Sequence, residues 1–443
     1  MTTFWLYLLG VVLFLVGLAI SVGLHEFGHL IPAKLFGVRV RTYMIGFGPT
    51  IFSRKMGDTE YGIKAIPLGG FVSMSGMFPP GKTLRTPRTA VGRFFQRLIT
   101  DARDASAESM RDTDESRAFY RLPVYKRIIV MAGGPVMNLV LAFVLLAIVV
   151  SGFGVAGATT TVASVAPCIL PATSTQTECP ADAPISPAAS AGLQPGDVVV
   201  SINGTPISTW TQATSITRAS AGTALDYVVL RDGVTTPLTV TPVTTTRYDV
   251  NPDGSPKLDA DGAPVLVNVG VAGITPETGL VRQPVINVFP MMGTAIVQTG
   301  QLILNLPQKL VGVSEAAFGT APRDINGPLS VVGVGRVAGE IASTDVAGPT
   351  EKFVALLGVL ASLNIALFAF NLIPLLPLDG GHIAGALWEA IRRGWAKLTH
   401  RADPGPVDVS RLMPLTFVVV ALMLGMSALL IYADLVKPIT LLG

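Results

Sequence analysis

From Phe4 to Leu24 the chain carries no charged residue, and the same apolar run then reads His25-Glu26-Phe27-Gly28-His29. In a helix, residues four apart stand on one face about a turn apart, so both imidazoles reach a single metal ion while Glu26 points beside it toward a bound water. An ionisable group in an otherwise lipid-compatible helix costs about 2.5–3.5 kcal/mol near its centre, and such groups are usually functional. The bland alternative is a histidine pair that packs helices, with a Glu satisfied by a neighbour. Only four histidines occur in the whole chain, and two of them at this spacing around a Glu favour the metal-binding reading.

Composition agrees with this frame. Of 443 residues, 50% are hydrophobic and 14% charged, and a mean hydropathy of +0.56 is too apolar for an ordinary soluble enzyme. The length exceeds one simple domain, so a polytopic membrane protein with soluble insertions is expected. Four stretches, residues 4–33, 128–155, 353–378 and 415–432, are long enough for a hydrocarbon core of about 30 Å, which takes ~20 residues of helix. The first lacks a basic start, exceeds the apolar length of a cleavable signal and carries the His-Glu string in its second half, so it reads as a retained span. Lys34, Arg39, Arg41, Arg54, Lys55 and Lys64 follow it, and the basic series continues to Lys126 and Arg127. Arg392, Arg393, Lys397 and Arg401 lie between the last two spans. By the positive-inside rule both segments are cytoplasmic, which leaves the termini and residues 156–350 extracytoplasmic. The net charge of +3 is accounted for by this topology, and no nucleic-acid partner is read from it. Cys168 and Cys179, the only two cysteines, fall in one extracytoplasmic stretch where oxidising conditions allow a disulfide, with two unpaired thiols as the alternative.

Between the first two spans, residues 51–55 and 61–66 are β-prone runs around a Gly57-Asp58 turn, and Pro67, Gly69 and Gly70 interrupt the second. They read as a hairpin. It is either a small cytoplasmic hairpin without chemistry or an exposed sheet edge beside the metal, able to pair with an extended substrate backbone. Residues 79–118 are polar with sparse apolar periodicity and read as a solvated cytoplasmic insert, partly helical or mobile, without chemistry. Further on, a strand at 160–165 precedes Ala191-Gly192-Leu193-Gln194-Pro195-Gly196-Asp197, then a strand that ends in Asn203-Gly204, with more strand at 225–230 and 238–243. The Asp-rich stretch 249–262 lacks the bidentate Glu that closes an EF-hand loop and reads as the turns of a surface hairpin. An amphipathic pattern over 285–310 suggests membrane-adjacent helix.

Two histidines leave a catalytic metal site short of the third protein ligand it usually takes. The third span ends Asn371-Leu372-Ile373-Pro374-Leu375-Leu376-Pro377-Leu378-Asp379-Gly380-Gly381-His382, an acid after a helix broken by two prolines. Broken backbone at membrane depth is tolerated where it lines a cavity, which is where a metal ligand is needed. Asp379 is preferred because a carboxylate beside two histidines is the hydrolytic zinc pattern, whereas His382 opens the next helix. A plain helix cap is the alternative role for Asp379. His400 lies in a basic polar loop and reads as solvated.

The His25-Glu26-Phe27-Gly28-His29 string, the Asn371-x-x-Pro374-x-x-x-Leu378-Asp379-Gly380 string and the segment between them together resemble the site-2 protease family of intramembrane zinc metalloproteases. Ala191 to Gly204 is similar to the PDZ domains of bacterial proteases. Gly46-Phe47-Gly48 and the hairpin after it resemble the family's membrane-associated β-region, and Met131-Ala132-Gly133-Gly134-Pro135-Val136-Met137-Asn138 resembles the motif that opens its second span. One PDZ-like domain with a cysteine-bearing insertion is closer to actinobacterial members than to the proteobacterial sigma-E protease. The resemblance implies a zinc metalloendopeptidase of the bacterial plasma membrane acting in regulated intramembrane proteolysis. His25, His29 and Asp379 would hold Zn²⁺, and Glu26 would be the general base. The implied partners are membrane lipid and single-pass membrane proteins, such as anti-sigma factors already shortened by another protease and then cut within their membrane segment. Gly46, Phe47, Gly48 and Asn371 are candidate substrate contacts, although Asn371 could equally only satisfy broken-helix backbone. The PDZ-like domain either binds peptide by strand addition or acts as a size filter.

The expected fold class is an α-helical polytopic membrane protein with about four transmembrane helices, a cytoplasmic, membrane-associated β-hairpin and an extracytoplasmic α+β PDZ-like domain. Residues 1–35 hold the first span, 36–123 the hairpin and insert, and 124–155 the second span. The PDZ-like domain takes 156–245, and an extracytoplasmic hairpin with membrane-adjacent helices takes 246–350. The third span with its Leu-Asp-Gly string takes 351–382, a cytoplasmic loop or helix 383–412, and the fourth span 413–435. The competing function is a catalytically inactive membrane scaffold that displays the PDZ-like domain. An intact Glu26 argues against it, because a structural metal needs no general base. A transporter is disfavoured by the absence of any repeat of the spans.

Overall fold

The computed structural model describes residues 2–80, 89–111, 113–172, 174, 176, 178–250 and 256–440. Residues 81–88 and 112 of the polar insert and 251–255 of the Asp-rich stretch lie outside the described residues. The chain forms two compact units, one built from Met1–Val149 and Pro284–Gly443, the other from Val150–Gln283.

The first unit begins with α1 (Thr2–Leu35), β1 (Val40–Met56), β2 (Thr59–Met74), α2 (Ala90–Glu108) and α3 (Val124–Ala147). Among the described residues four helical segments are long and apolar enough to cross a membrane: Thr3–Leu35, Val124–Phe153, Pro349–Asn371 and Val409–Val436. The protein is therefore a polytopic membrane protein, as its composition requires. The two strands make more than a simple hairpin. Residues 50–56 pair with 59–64, while 42–45 lie between 60–63 on one side and 70–73 on the other. This folding-over is possible because β1 bends at Gly46 and Gly48, both at positive φ, where a side chain would strain the backbone. The Tyr43 hydroxyl donates to the Gly23 carbonyl at 2.7 Å, tying the sheet to α1. The polar insert holds a helix of 19 residues, α2, capped by Thr89. The helix is amphipathic rather than sparsely patterned, and an Arg103–Asp408 ion pair and the packing of Phe94 on Phe417 anchor it.

The second unit contains β3 (Val155–Val165), α4 (Pro187–Ser190), β4 (Val198–Ile202), β5 (Thr205–Pro206), α5 (Trp210–Ala219), β6 (Leu225–Arg231), β7 (Val234–Val240), β8 (Val243–Tyr248), β9 (Leu266–Val271) and β10 (Ile274–Val281). Its antiparallel sheet runs β10-β3-β4-β6-β7 with β5 on β4, and β8 pairs with β9 separately. Asn203 and Gly204 take φ of 49° and 71°, the left-handed pair that a two-residue turn from β4 to β5 needs. Alternate residues Leu225, Tyr227 and Val229 of β6 point into a core with Val199, Ile202 and Val240. Buried Asp197 is held by two 2.7 Å bonds from Arg231. Cys168 and Cys179 are joined in a disulfide with Cα atoms 6.0 Å apart, the paired state expected for them. Asp259 accepts the amides of Asp261 and Ala263 and Asp249 pairs with Lys257, the work of turn residues.

The first unit resumes with α6 (Val288–Leu304), α7 (Leu306–Phe318), α8 (Val331–Ser343), α9 (Pro349–Asn371), α10 (Asp379–Leu398) and α11 (Met413–Val436). Buried Gly335, Ala338, Gly339 and Ala342 give α8 a small-residue face that packs closely on α1, against Tyr7, Gly10 and Phe14. Asn364 of α9 donates to Ser21 of α1 at 2.9 Å. The apolar run of the third span outlasts its helix. α9 stops at Asn371, since Pro374 and Pro377 lack the N–H groups that helix needs, and α10 starts afresh at Asp379. Two buried ion clusters brace the C-terminal half. Glu389 meets Arg127 at 2.5 Å and Arg393 at 3.0 Å, and Asp434 meets Arg323 at 2.7 Å and Ser330 at 2.6 Å.

Candidate metal centre

Four residues apart on α1, His25 and His29 bring their Nε2 atoms to 3.3 Å. Asp379, the first residue of α10, places Oδ2 3.3 Å from the Nε2 of His25 and 3.4 Å from that of His29. These three side chains form the one group of His, Cys, Asp or Glu donors, among the described residues, that converges closely enough to share an ion. The triangle's edges test the fit of a metal. A tetrahedral Zn²⁺ with N and O ligands at about 2.0–2.1 Å sets neighbouring ligand atoms about 3.3–3.4 Å apart, the spacing found. Asp379 Oδ2 is also buried without a well-aligned hydrogen bond, an expensive condition for a carboxylate oxygen unless a cation faces it.

Helix α3 supplies no ligand but orients both rings. The Nδ1 of His29 lies 2.8 Å from the Val130 carbonyl, which can only accept, so that nitrogen carries the proton and Nε2 keeps its lone pair toward Asp379. The Nδ1 of His25 lies 3.1 Å from the amide of Asn138. That contact is made by Nδ2, with Oδ1 buried and unpaired; exchanging the two ends of the amide gives Oδ1 an N–H to accept and leaves Nε2 of His25 free for a metal. Gly134, on the same helix, has no room for a side chain, since a Cβ there would come within 2.7 Å of Cε1 on each ring.

Glu26 sits beside this group, near enough for electrostatic interaction with His25, His29 and Asp379. The end of β2 presses against it, with a Cβ on Gly70 falling 2.9 Å from Glu26 Cγ. His382 stays out of the triangle and stacks on Phe78, ring centroids 6.5 Å apart. Leu378 occupies the N-cap of α10 and no side chain caps that end, so Asp379 turns to the histidines rather than to its own helix. His400 is exposed in a loop. Asn371 closes α9. Gly46 and Gly48 mark the bend in β1, and Phe47 lies against Gly69 across the sheet. None of these last four bonds to His25, Glu26, His29 or Asp379 among the described residues. Gly134 and Asn138 were legible in the sequence only as part of a motif and Val130 not at all, because their role depends on where α3 crosses α1.

Comparison with known proteins adds independent information. The sequence profile of Peptidase family M50 matches residues 13–402. The zinc metalloprotease Rip1 of Mycobacterium tuberculosis is 35% identical over 440 residues, covering 98% of this chain and 99% of the relative. Its counterpart in Mycolicibacterium smegmatis is 33% identical over 445 residues, 98% of each chain. The metalloprotease MmpA of Caulobacter vibrioides is 27% identical over 399 residues, 87% of this chain and 88% of its own.

Proposed function

The chain belongs to peptidase family M50, the site-2 proteases, and on that premise we propose that His25, His29 and Asp379 hold its zinc and that Glu26 is its general base. It is a zinc metalloprotease with membrane-spanning helices. The observation that carries the site assignment is the triangle of donor atoms at 3.3, 3.3 and 3.4 Å with Glu26 beside it. Held by these three residues, zinc would supply Lewis acidity to a water and to the scissile carbonyl. Glu26 takes the proton from the attacking water and returns it to the leaving amine. Val130 and Asn138 hold the two imidazoles in the tautomer that leaves Nε2 unprotonated.

The substrates in this reading are single-pass membrane proteins, such as anti-sigma factors already shortened by another protease, cut within the membrane segment. A helical substrate hides its carbonyls in its own hydrogen bonds and must be unwound before attack. Residues 70–73 form an outer strand of the β1–β2 sheet next to Glu26, and pairing with that strand would hold an unwound segment extended beside the base. Gly46, Phe47, Gly48 and Asn371 would flank it. By the positive-inside rule residues 36–123 and 383–412 lie, in this reading, on the cytoplasmic side of a bacterial plasma membrane, with the termini and a PDZ-like domain at 156–245 on the other side. The turn geometry of Asn203 and Gly204 supports the PDZ-like reading.

The test uses purified protein in proteoliposomes with a single-pass substrate whose ectodomain has been trimmed, the products being mapped by mass spectrometry. The expected cut lies inside the apolar segment, disappears on chelation and returns with added zinc. Cuts confined to water-soluble parts of the substrate would overturn the intramembrane reading.

A further inference from the structure

Helix α10 leaves the metal centre at Asp379 and ends at Leu398 with an unusual surface. Trp388, Ile391, Trp395 and Leu398 recur at intervals of three and four on one stripe and are 55%, 61%, 65% and 78% exposed, while Ala386, Glu389 and Ala396 are buried on the other side. Beside that stripe opens a cleft of about 390 Å³ lined by Trp388, Ile391, Arg392, Trp395, Arg401 and Pro404. The basic residues around it divide into two sets. Arg393 is engaged by Glu389 and Asp403, and Arg127 by Glu389. Arg392 and Arg401, the two that line the cleft, have no ion pair among the described residues. Two uncommitted guanidinium groups against an apolar wall suit a ligand that joins an oxyanion to hydrocarbon.

We propose that this cleft binds the phosphate headgroup of an anionic phospholipid, with the Trp388 to Leu398 stripe seated among the acyl chains beneath it. Location selects lipid over a soluble partner. The helices before and after α10, Pro349–Asn371 and Val409–Val436, are both of membrane-crossing length, so the chain between them leaves and re-enters the bilayer. Tryptophan rings settle at the headgroup level, and arginines held there attract anionic lipid. The phosphate answers the arginines and the acyl chains answer the exposed stripe, whereas a free anion would leave that stripe in water.

Tryptophan quenching by brominated lipid tests the assignment. The chain has four tryptophans, and Trp5→Phe with Trp210→Phe leaves emission from Trp388 and Trp395 in the full-length protein. In nanodiscs of phosphatidylcholine, brominated phosphatidylglycerol should reach half-quenching at a mole fraction lower than brominated phosphatidylcholine by on the order of tenfold. Arg392→Gln with Arg401→Gln should abolish the difference while zinc content is unchanged, and the corresponding double Lys variant should keep most of it. If the double Gln protein loses zinc, Arg401→Gln alone serves, because that side chain is exposed. Equal quenching by the two lipids would overturn the headgroup site, and quenching by neither would show the stripe covered by protein. Reversal by millimolar inorganic phosphate would assign the cleft to free anions and overturn the lipid assignment.

Discussion

At the scale of single residues, four side chains carry the proposed chemistry, and each is separable from its neighbours by what it touches. Gln in place of Glu26 keeps the size and polarity of the side chain but removes the proton acceptor. Glu26→Gln should therefore retain near-stoichiometric zinc while cleavage falls by at least about 10²-fold, the usual worth of a positioned base. Metal analysis alongside peptide mapping checks this, and substantial proteolysis at neutral pH would remove Glu26 from its role. The third ligand is decided in the same way. Asp379→Ala deletes one corner of the donor triangle and should lose zinc and activity together. His382→Ala removes a ring stacked on Phe78 and should keep its zinc. Zinc loss in the His382 protein with retention in the Asp379 protein would move the ligand three residues on.

At the scale of elements, the centre is a junction of α1, α3, α10 and the outer strand of the β1–β2 sheet, and only part of it was written in local pattern. His25, Glu26, His29 and Asp379 could be read from the sequence because their types and spacings mean the same thing in any helix. Asn138 could not, since nothing local says that a span's asparagine faces an imidazole 113 residues earlier. The same limit explains α8, whose short run of small residues acquires meaning only against α1, and the buried Glu389 cluster, whose partners come from a distant helix, the next turn of its own helix and a loop. The third span shows the opposite failure: apolar character extends to Leu378, but the prolines end the helix at Asn371. Asn138→Leu keeps the volume of the side chain and deletes its contact with His25. It should weaken zinc binding by roughly 10–100-fold, the usual effect of losing a partner behind a ligand. Competition against a calibrated chelator measures this, and unchanged affinity would reduce Asn138 to a helix-packing residue.

At the scale of the whole molecule, the two units are stabilised by different means, so each can be perturbed without the other. The first relies on apolar helices and on ion clusters buried between them, whereas the second has a small sheet core, the Asp197–Arg231 pair and the disulfide. Arg231 holds the Asp197 carboxyl below the usual carboxylate range. Its folded value is thus depressed relative to the unfolded chain, so its contribution is fully present above the ordinary carboxylate pKa of about 4 and is lost as pH falls through the depressed folded value. Thermal unfolding between pH 7 and 3 should show this acid sensitivity in the second unit, and Asp197→Asn should flatten it. The disulfide acts through the unfolded chain instead. It closes a loop with a sequence separation of 11, for which loss of unfolded-state entropy gives about 2–3 kcal/mol. Cys168→Ser with Cys179→Ser should lower the stability of the second unit by that amount, leave zinc content unchanged and leave cleavage of a pre-shortened substrate intact, because neither sulfur belongs to the metal centre. Mass spectrometry of non-reduced peptides establishes the bond in the parent protein, and loss of cleavage in the double Ser variant at a temperature where the second unit remains folded would show that the bond does more than brace its loop.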